Sequence, residues 1–207
     1  MKRPLLYWQK IYLAALALFL GGLCAGFFGV FQFSCRQSFA ARTGELLARQ
    51  HALAVALADD MAAVLAARPE ALGVLWQDTG LDARREGLAL AVWYGGAPRY
   101  NDLALDALPE AGTLEAGLRS WQVRVVGGRH LFYATTALAG ELTGYAVTVQ
   151  ADIEDFYADW QRTGAAFAGA GAGIGAVFAA GLYAVLRRMN RPLRALTETA
   201  RALAAED

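Results

Sequence analysis

Cysteine and histidine are nearly missing from this chain, with two of each among 207 residues. Two thiols cannot build the disulfide framework of a small secreted domain. Cys24 and Cys35 stand about three helical turns apart, too far to bridge within one helix. They read as free thiols or, for Cys35 in an oxidising compartment, as half of a bond to a second copy. His51 and His130 have no Cys or His at metal-ligand spacing, which leaves a zinc site unsupported. The acid pairs Asp59-Asp60 and Glu154-Asp155 are adjacent on predicted helices and point in different directions, so they read as solvated faces rather than a catalytic dyad. No Ser or Thr sits in a nucleophile motif. No catalytic residue and no cofactor is expected in these residues.

Charge is missing in two places. No Asp, Glu, Lys or Arg occurs between Lys10 and Arg36, or between Arg162 and Arg187. A hydrocarbon core about 30 Å thick needs roughly 20 helical residues, and both runs meet that length. Two transmembrane helices are predicted, 11–34 and 163–186. A signal peptide is the rival for the first, but its apolar region spans only about 7–15 residues, and Leu23 stands before Cys24 where a lipoprotein signal wants a small residue. A retained anchor fits better. The 57% apolar composition and mean hydropathy of +0.30 have their excess in these two runs.

The formal charge of zero, from 19 basic and 19 acidic residues, hides an asymmetry. Outside the spans, Lys2, Arg3, Lys10, Arg187, Arg188, Arg191, Arg194 and Arg201 outnumber Glu198, Glu206 and Asp207. Basic residues near span ends are retained in the cytoplasm. The expected layout is a cytoplasmic tail 1–10, an extracytoplasmic domain 35–162 and a cytoplasmic segment 187–207: a multi-pass plasma-membrane protein with both termini inside. The middle is acid-rich and has no basic stripe, so nucleic acid is not an expected partner.

Within the middle, Thr43, Leu46, Gln50, Leu53, Leu57, Met61 and Val64 recur at spacings of three and four, one face of a helix that ends at Arg68-Pro69. Glu70–Glu86 reads as a short helix plus a loop. From Gly87 the period becomes two: Leu88, Leu90, Val92 and Tyr94 form a strand closed by Gly95-Gly96. A return strand is expected over Arg99–Leu105, and loop or weak helix over Pro109–Arg119. Strands follow at Trp121–Val125, at His130–Ala134 beyond the hairpin signal Gly127-Gly128, and at Tyr145–Val149. They make a three-stranded antiparallel meander joined by the earlier strand or pair. Asp152–Trp160 opens a helix that feeds the second span. The fold class is α+β: two spans flanking a domain built from a long helix and a sheet of four or five antiparallel strands.

Small residues recur every four positions in the spans: Gly22 with Gly26, Gly169 with Gly173, Gly171 with Gly175. Such faces let helices approach closely in lipid. Beyond the second span, Pro192 lacks a backbone donor and crowds Arg188, so the helix is expected to kink or restart there. Leu193, Leu196, Ala200 and Leu203 then space as the seam of a parallel bundle; an amphipathic cap lying on the membrane surface is the alternative.

The run Arg191-Pro192-Leu193-Arg194-Ala195-Leu196-Thr197, with Ala200, Leu203 and Glu206-Asp207, resembles the first helix of a HAMP linker. The whole plan is similar to the sensor half of bacterial two-component histidine kinases, and the outer domain resembles a PAS-like Cache sensor. The resemblance implies a homodimeric receptor that passes an extracellular stimulus, a small molecule or an envelope signal, through the second span and the HAMP helix to a kinase core. That core, with its ATP and Mg and its response-regulator partner, is not in these residues, nor is the second HAMP helix, so a piece of a longer protein is expected rather than a degenerate receptor. Packing and relay would rest on Gly169, Gly171, Gly173, Gly175, Pro192, Leu193, Leu196, Ala200 and Leu203. Trp93, Tyr94, Arg99, Tyr100, Trp121, Arg124, His130 and Tyr133, on or beside the strands, could line a pocket for an anionic or amphipathic molecule, or else be core aromatics and solvated arginines. The alternatives are a chemoreceptor or cyclase-type receptor with the same outer half, and a non-signalling membrane-anchored scaffold.

Overall fold

The computed structural model describes the backbone of residues 7–105 and 114–203 and the side chains of residues 10–105 and 114–189. Two compact units emerge, Gln37–Trp160 and Met1–Arg36 with Gln161–Asp207. The protein is α+β, with one five-stranded antiparallel sheet and two long apolar helices.

Helix α1 spans Tyr7–Ala67. It is rich in Ala and Leu, good helix formers, and free of proline. It stops where Arg68, held before Pro69, takes φ −152° and ψ 77°, the extended bias of a pre-proline residue. One 3-10 turn, Pro69–Ala71, leads into α2, Leu72–Arg85. The loop expected in this stretch is therefore helix. Its buried positions are Leu72, Trp76, Gly80 and Ala83, a helical period disguised by a residue without a side chain. Gly80 is small for a reason: a Cβ there would lie 2.7 Å from Tyr100 Cζ.

The strands are β1 Leu88–Tyr94, β2 Ala97–Asn101, β3 Arg119–Val126, β4 Arg129–Ala137 and β5 Tyr145–Asp152. Their order is β2-β1-β5-β4-β3, a β3-β4-β5 meander to which the β1-β2 hairpin is added through β1. Gly95-Gly96 (φ 57° and 82°) and Gly127-Gly128 (φ 59° and 81°) supply the left-handed backbone that two-residue hairpins demand. The first of these tight turns also corrects the return strand, which begins at Ala97 rather than Arg99 and ends at Asn101. There the Asn101 side chain accepts the Leu103 N–H (3.0 Å) and donates to the Leu105 carbonyl (3.2 Å), bending the chain off the sheet. The loop expected over Pro109–Arg119 falls in part on 106–113, outside the described residues; Arg119 already opens β3.

One sheet face is covered by helices. Leu88, Leu90, Val92, Phe132, Ala134, Val147 and Val149 pack there with Leu46, Ala54, Leu57 and Met61 of α1 and Leu72 and Trp76 of α2. The predicted α1 stripe is the buried one, with Leu53 and Val64 at its margins. The opposite face carries a smaller cluster, Ala91, Trp93, Leu131, Tyr133 and Ala146, against which Leu103, Leu105 and Val126 pack. Helix α3 spans Glu154–Leu203. It continues without interruption through Pro192, so the restart expected there is absent; one lost backbone bond leaves the neighbouring turns with theirs. The side chains of Pro192, Leu193, Leu196, Ala200 and Leu203 lie outside the described residues.

Candidate functional site: apolar helices, sheet faces and the strand-to-helix junction

Both apolar helices are long and apolar enough to cross a membrane. Within their unit they run side by side and antiparallel. Tyr12 meets Tyr183 edge-on (6.3 Å), Phe19 stacks on Phe178 (3.5 Å), and Phe27 and Phe31 flank Phe167 (5.9 and 6.0 Å). The Tyr12 hydroxyl donates to the Ala179 carbonyl at 3.3 Å. Leu18 (82% exposed) and Val177 (75%) face away from the pair, with Phe28, Phe33 and Val185 also exposed. An apolar surface this extensive is rare on a water-soluble monomer.

The glycines divide. A Cβ on Gly175 would meet Leu20 Cδ2 at 2.9 Å, and one on Gly164 would meet Phe31 at 3.2 Å, whereas Gly22, Gly26, Gly169, Gly171 and Gly173 have nothing within 4 Å. Of the predicted packing glycines, Gly175 alone serves the contact within the chain. Gly164, whose i+4 neighbour is Ala168, lies outside the Gly169–Gly175 run that carries the spacing signal.

The eight proposed pocket residues do not converge. Trp93, Tyr133 and Arg124 share the face away from the helices. Trp93 and Tyr133 are buried core residues there, and Arg124 donates to Gln122 Oε1 at 3.0 Å. Trp93 Nε1–H donates to Thr148 Oγ1 (2.9 Å), whose hydroxyl is 2.9 Å from that of Thr135. Burial raises the Tyr133 phenol's pKa, with the Arg124 charge opposing the rise; its buried hydroxyl has no partner among the described residues. Tyr94 and Arg99 form a separate pair at the end of β1, the guanidinium 5.4 Å above the ring. Tyr100, Trp121 and His130 lie on the helix-covered side. Strand alternation separates them: Trp121 pairs with Ala134 and His130 with Val125, while Arg124 pairs with Leu131. A crevice of about 340 Å³ opens beside Leu131 and Val126, with Arg84, Arg129, Gln150 and Asp152 in its wall and none of the eight proposed residues lining it. Arg84 is ion-paired with Asp102 and Arg129 lies 3.6 Å from Asp152. Thr135, Thr148 and Gln150 are not singled out by sequence reasoning; the available signal is the alternation of Thr148, Gln150 and Asp152 along β5.

The best-defined polar constellation is where β5 becomes α3. Asp152 Oδ1 accepts the Glu154 N–H at 2.8 Å, a side-chain cap for the helix. Glu154 Oε2 accepts both the His130 backbone N–H (2.9 Å) and the His130 Nδ1–H (2.8 Å). The imidazole lies flat on the Tyr157 ring at 3.8 Å, and the Ile153 N–H donates to the His130 carbonyl at 3.0 Å. The first turn of α3 is thus tied to the β3-β4 hairpin by side chain, ring and backbone. A carboxylate accepting two N–H groups is stabilised in its charged form, and the His130 side-chain bond, then its backbone bond, hold the Glu154 carboxyl below its usual pKa.

A depressed folded pKa contributes stability above the unfolded value and loses it as pH falls. Glu154→Gln should therefore lower the thermal midpoint of the chain at neutral pH; the difference from wild type should begin to shrink as pH falls into the ordinary glutamate range, about 4, and vanish only at the lower pH where the folded carboxyl itself takes up a proton. A pH-independent gap between the two melting curves would contradict the ionic role.

Among the described residues no group of three His, Cys, Asp or Glu could hold a metal ion. Comparison with family models, with curated proteins and with solved structures gives no match.

Proposed function

We propose that the chain is the sensing and transmitting part of a homodimeric membrane receptor, the input half of a two-component histidine kinase in a bacterial plasma membrane. The observation that carries the reading is that each apolar helix is continuous with an element of the sheet unit. Helix α1 runs Tyr7–Ala67 and buries Leu46, Leu57 and Met61 in the core; α3 runs Glu154–Leu203 and is pinned to the sheet through Glu154 and Tyr157. A stimulus that moves the hairpin against α3 would move the second span. It does so only if the ligand prefers one of the two arrangements.

The antiparallel helix pair supports a crossing that brings both chain ends to the same side, and the basic residues flanking the spans support the cytoplasm as that side. The element order, long helix then antiparallel sheet, supports a PAS-like Cache sensor for Gln37–Trp160, and the Arg191–Thr197 run supports a HAMP helix. The crevice beside Arg84, Arg129 and Gln150 supports the sheet unit as the place where a small molecule would enter. Output, with its ATP chemistry and response-regulator partner, would come from a kinase core outside these residues.

The test joins the full chain to a kinase core with a transcriptional readout. Gly175→Leu drives a side chain into Leu20 and should shift basal output, whereas Gly21→Leu, on an open face of the first helix, should not. Equal output from both variants and wild type would remove the case for the second helix as the transmitting element.

A further inference from the structure

We infer that the outer edge of β3 pairs antiparallel with the same edge of a second copy, about a twofold axis at Val123; this rests on the receptor reading above only for its homodimer. Strand β3 ends the sheet, and its pairing with β4 runs from Arg119↔Thr136 to Val126↔Arg129 without a shift of register. An edge strand offers a row of backbone donors and acceptors to any chain that reaches it, and soluble proteins blunt such edges with proline, charge or a bulge. The opposite edge is blunted in this way: β2 holds Pro98 and Arg99, and the β1-β2 pairing shifts between Val92 and Trp93. Strand β3 has neither proline nor bulge, and it leaves Trp121 46% and Val125 63% exposed.

Backbone direction decides which residues can take a partner. Successive residues of a strand turn their N–H and C=O groups to opposite sides. The Leu118 carbonyl accepts the Ala137 N–H at 3.0 Å, so the even-numbered residues of β3 face β4. The His130 carbonyl accepts the Ile153 N–H, which leaves the odd-numbered residues of β4 to face β3; the Arg124↔Leu131 pair then gives the same parity. Trp121, Val123 and Val125 therefore direct their backbone groups outward, where no described strand meets them.

The side chains along that row are their own complement. With Val123 on the twofold, Trp121 stands opposite the partner's Val125 and Val125 opposite the partner's Trp121. Aromatic and β-branched side chains make a favourable cross-strand pair, and both exposed apolar groups are covered. On the other face Arg124 stands opposite the partner's Gln122, the residue type to which its Nε donates within its own strand at 3.0 Å. Arg119 falls opposite the partner's Gly127, so no like charges are set face to face. A twofold at Gln122 obeys the same backbone rule but sets Val125 against the partner's Arg119. A second copy thus fits this edge in hydrogen bonding, side-chain pairing and charge.

The test uses the full chain in phosphatidylcholine vesicles, with Cys24→Ser and Cys35→Ser removing the native thiols. Val123→Cys puts two thiols on the axis, where a hydrogen-bonded antiparallel pair holds its Cα atoms about 5.5 Å apart, within disulfide reach. Mild oxidation should link most of the chain into a covalent dimer. Val125→Pro removes an N–H that points away from β4, a position where an edge strand tolerates proline, so the fold should survive while the yield falls about fivefold. Val125→Glu, a carboxylate at an exposed site opposite the indole, should lower the yield as well, and it keeps the result readable if the proline variant melts early. A yield that neither Val125 variant changes would reflect chance collision and overturn the contact. If Val55→Cys on the exposed side of α1 cross-links and Val123→Cys does not, the copies meet elsewhere: the β3 inference fails and the homodimeric receptor stands. Cross-linking through Gln122→Cys in place of Val123→Cys would overturn the axis proposed. No cross-link at any of these positions, with a monomer in sedimentation, would overturn the β3 contact and the homodimer together.

Discussion

Replacing Gln50 by Glu is expected to cost the sheet unit about 3–5 kcal/mol at neutral pH, the penalty for an uncompensated buried charge. Gln50 is 0% exposed on the core stripe of α1. Its Nε2 donates to Thr136 Oγ1 of β4 at 2.7 Å, a side-chain hydrogen bond between α1 and the sheet, and its Oε1 has no partner among the described residues. A carboxylate there finds a hydroxyl and no cation. The group would hold its proton in the folded state well above the pH at which the unfolded chain releases it. The folded state then binds more protons than the unfolded one, so stability falls as pH rises, by about 1.36 kcal/mol per unit between the two pKa values. Gln50→Met should stay within about 1.5 kcal/mol of wild type, because it discards an unpaired acceptor and leaves a Thr136 hydroxyl that is half-exposed and can turn to water. Denaturant melts of both variants at neutral and acidic pH decide the matter. A Gln50→Glu chain as stable as wild type at neutral pH would mean that water reaches this site.

What could be read in the sequence follows from how strongly each pattern repeats. The charge-free runs, the Thr43–Val64 stripe and the strands around Gly95-Gly96 and Gly127-Gly128 announce themselves, because period and turn chemistry are local properties. The order β2-β1-β5-β4-β3 was half legible: the meander and the added pair were expected, but the seam where β1 meets β5 is a pairing between distant segments. Helix α2 was read short because Gly80 interrupts its stripe, and only the ring of Tyr100 over that position explains the gap. The site suffered most. The eight aromatic and cationic residues share a chemical type and not a place: the two-residue period of the strands assigns Trp93, Arg124 and Tyr133 to one face and Trp121 and His130 to the other. The tie between His130 and Glu154 crosses 24 residues and leaves no trace in spacing. With the His130–Tyr157 stack and the Ile153 backbone bond, it joins hairpin to helix.

Replacing Val177 by Arg distinguishes the two solvents these apolar helices could have. Val177 is 75% exposed on α3, and Leu18, its counterpart on α1, is 82% exposed. Were these faces in water, an arginine at either position would be an ordinary surface change, within about 0.5 kcal/mol, and would improve solubility. In a bilayer the same change puts a guanidinium near the middle of a span, at a cost of about 2.5–3.5 kcal/mol by insertion measurements, moderated where the side chain reaches the interface. A span built largely of Ala and Gly has little apolar surplus to absorb that cost. Val177→Arg should therefore release a large share of the chain from membranes at alkaline carbonate or leave the second crossing uninserted. Leu18→Arg should do less, because Phe27, Phe28, Phe31 and Phe33 make the first helix far more lipophilic. The expected order, Val177→Arg more damaging than Leu18→Arg and both more damaging than Asp59→Arg on the exposed side of α1, follows from lipid solvation and from nothing in the contacts of the folded chain. Equal, small effects at all three positions would return both helices to water and leave the receptor proposal without its membrane.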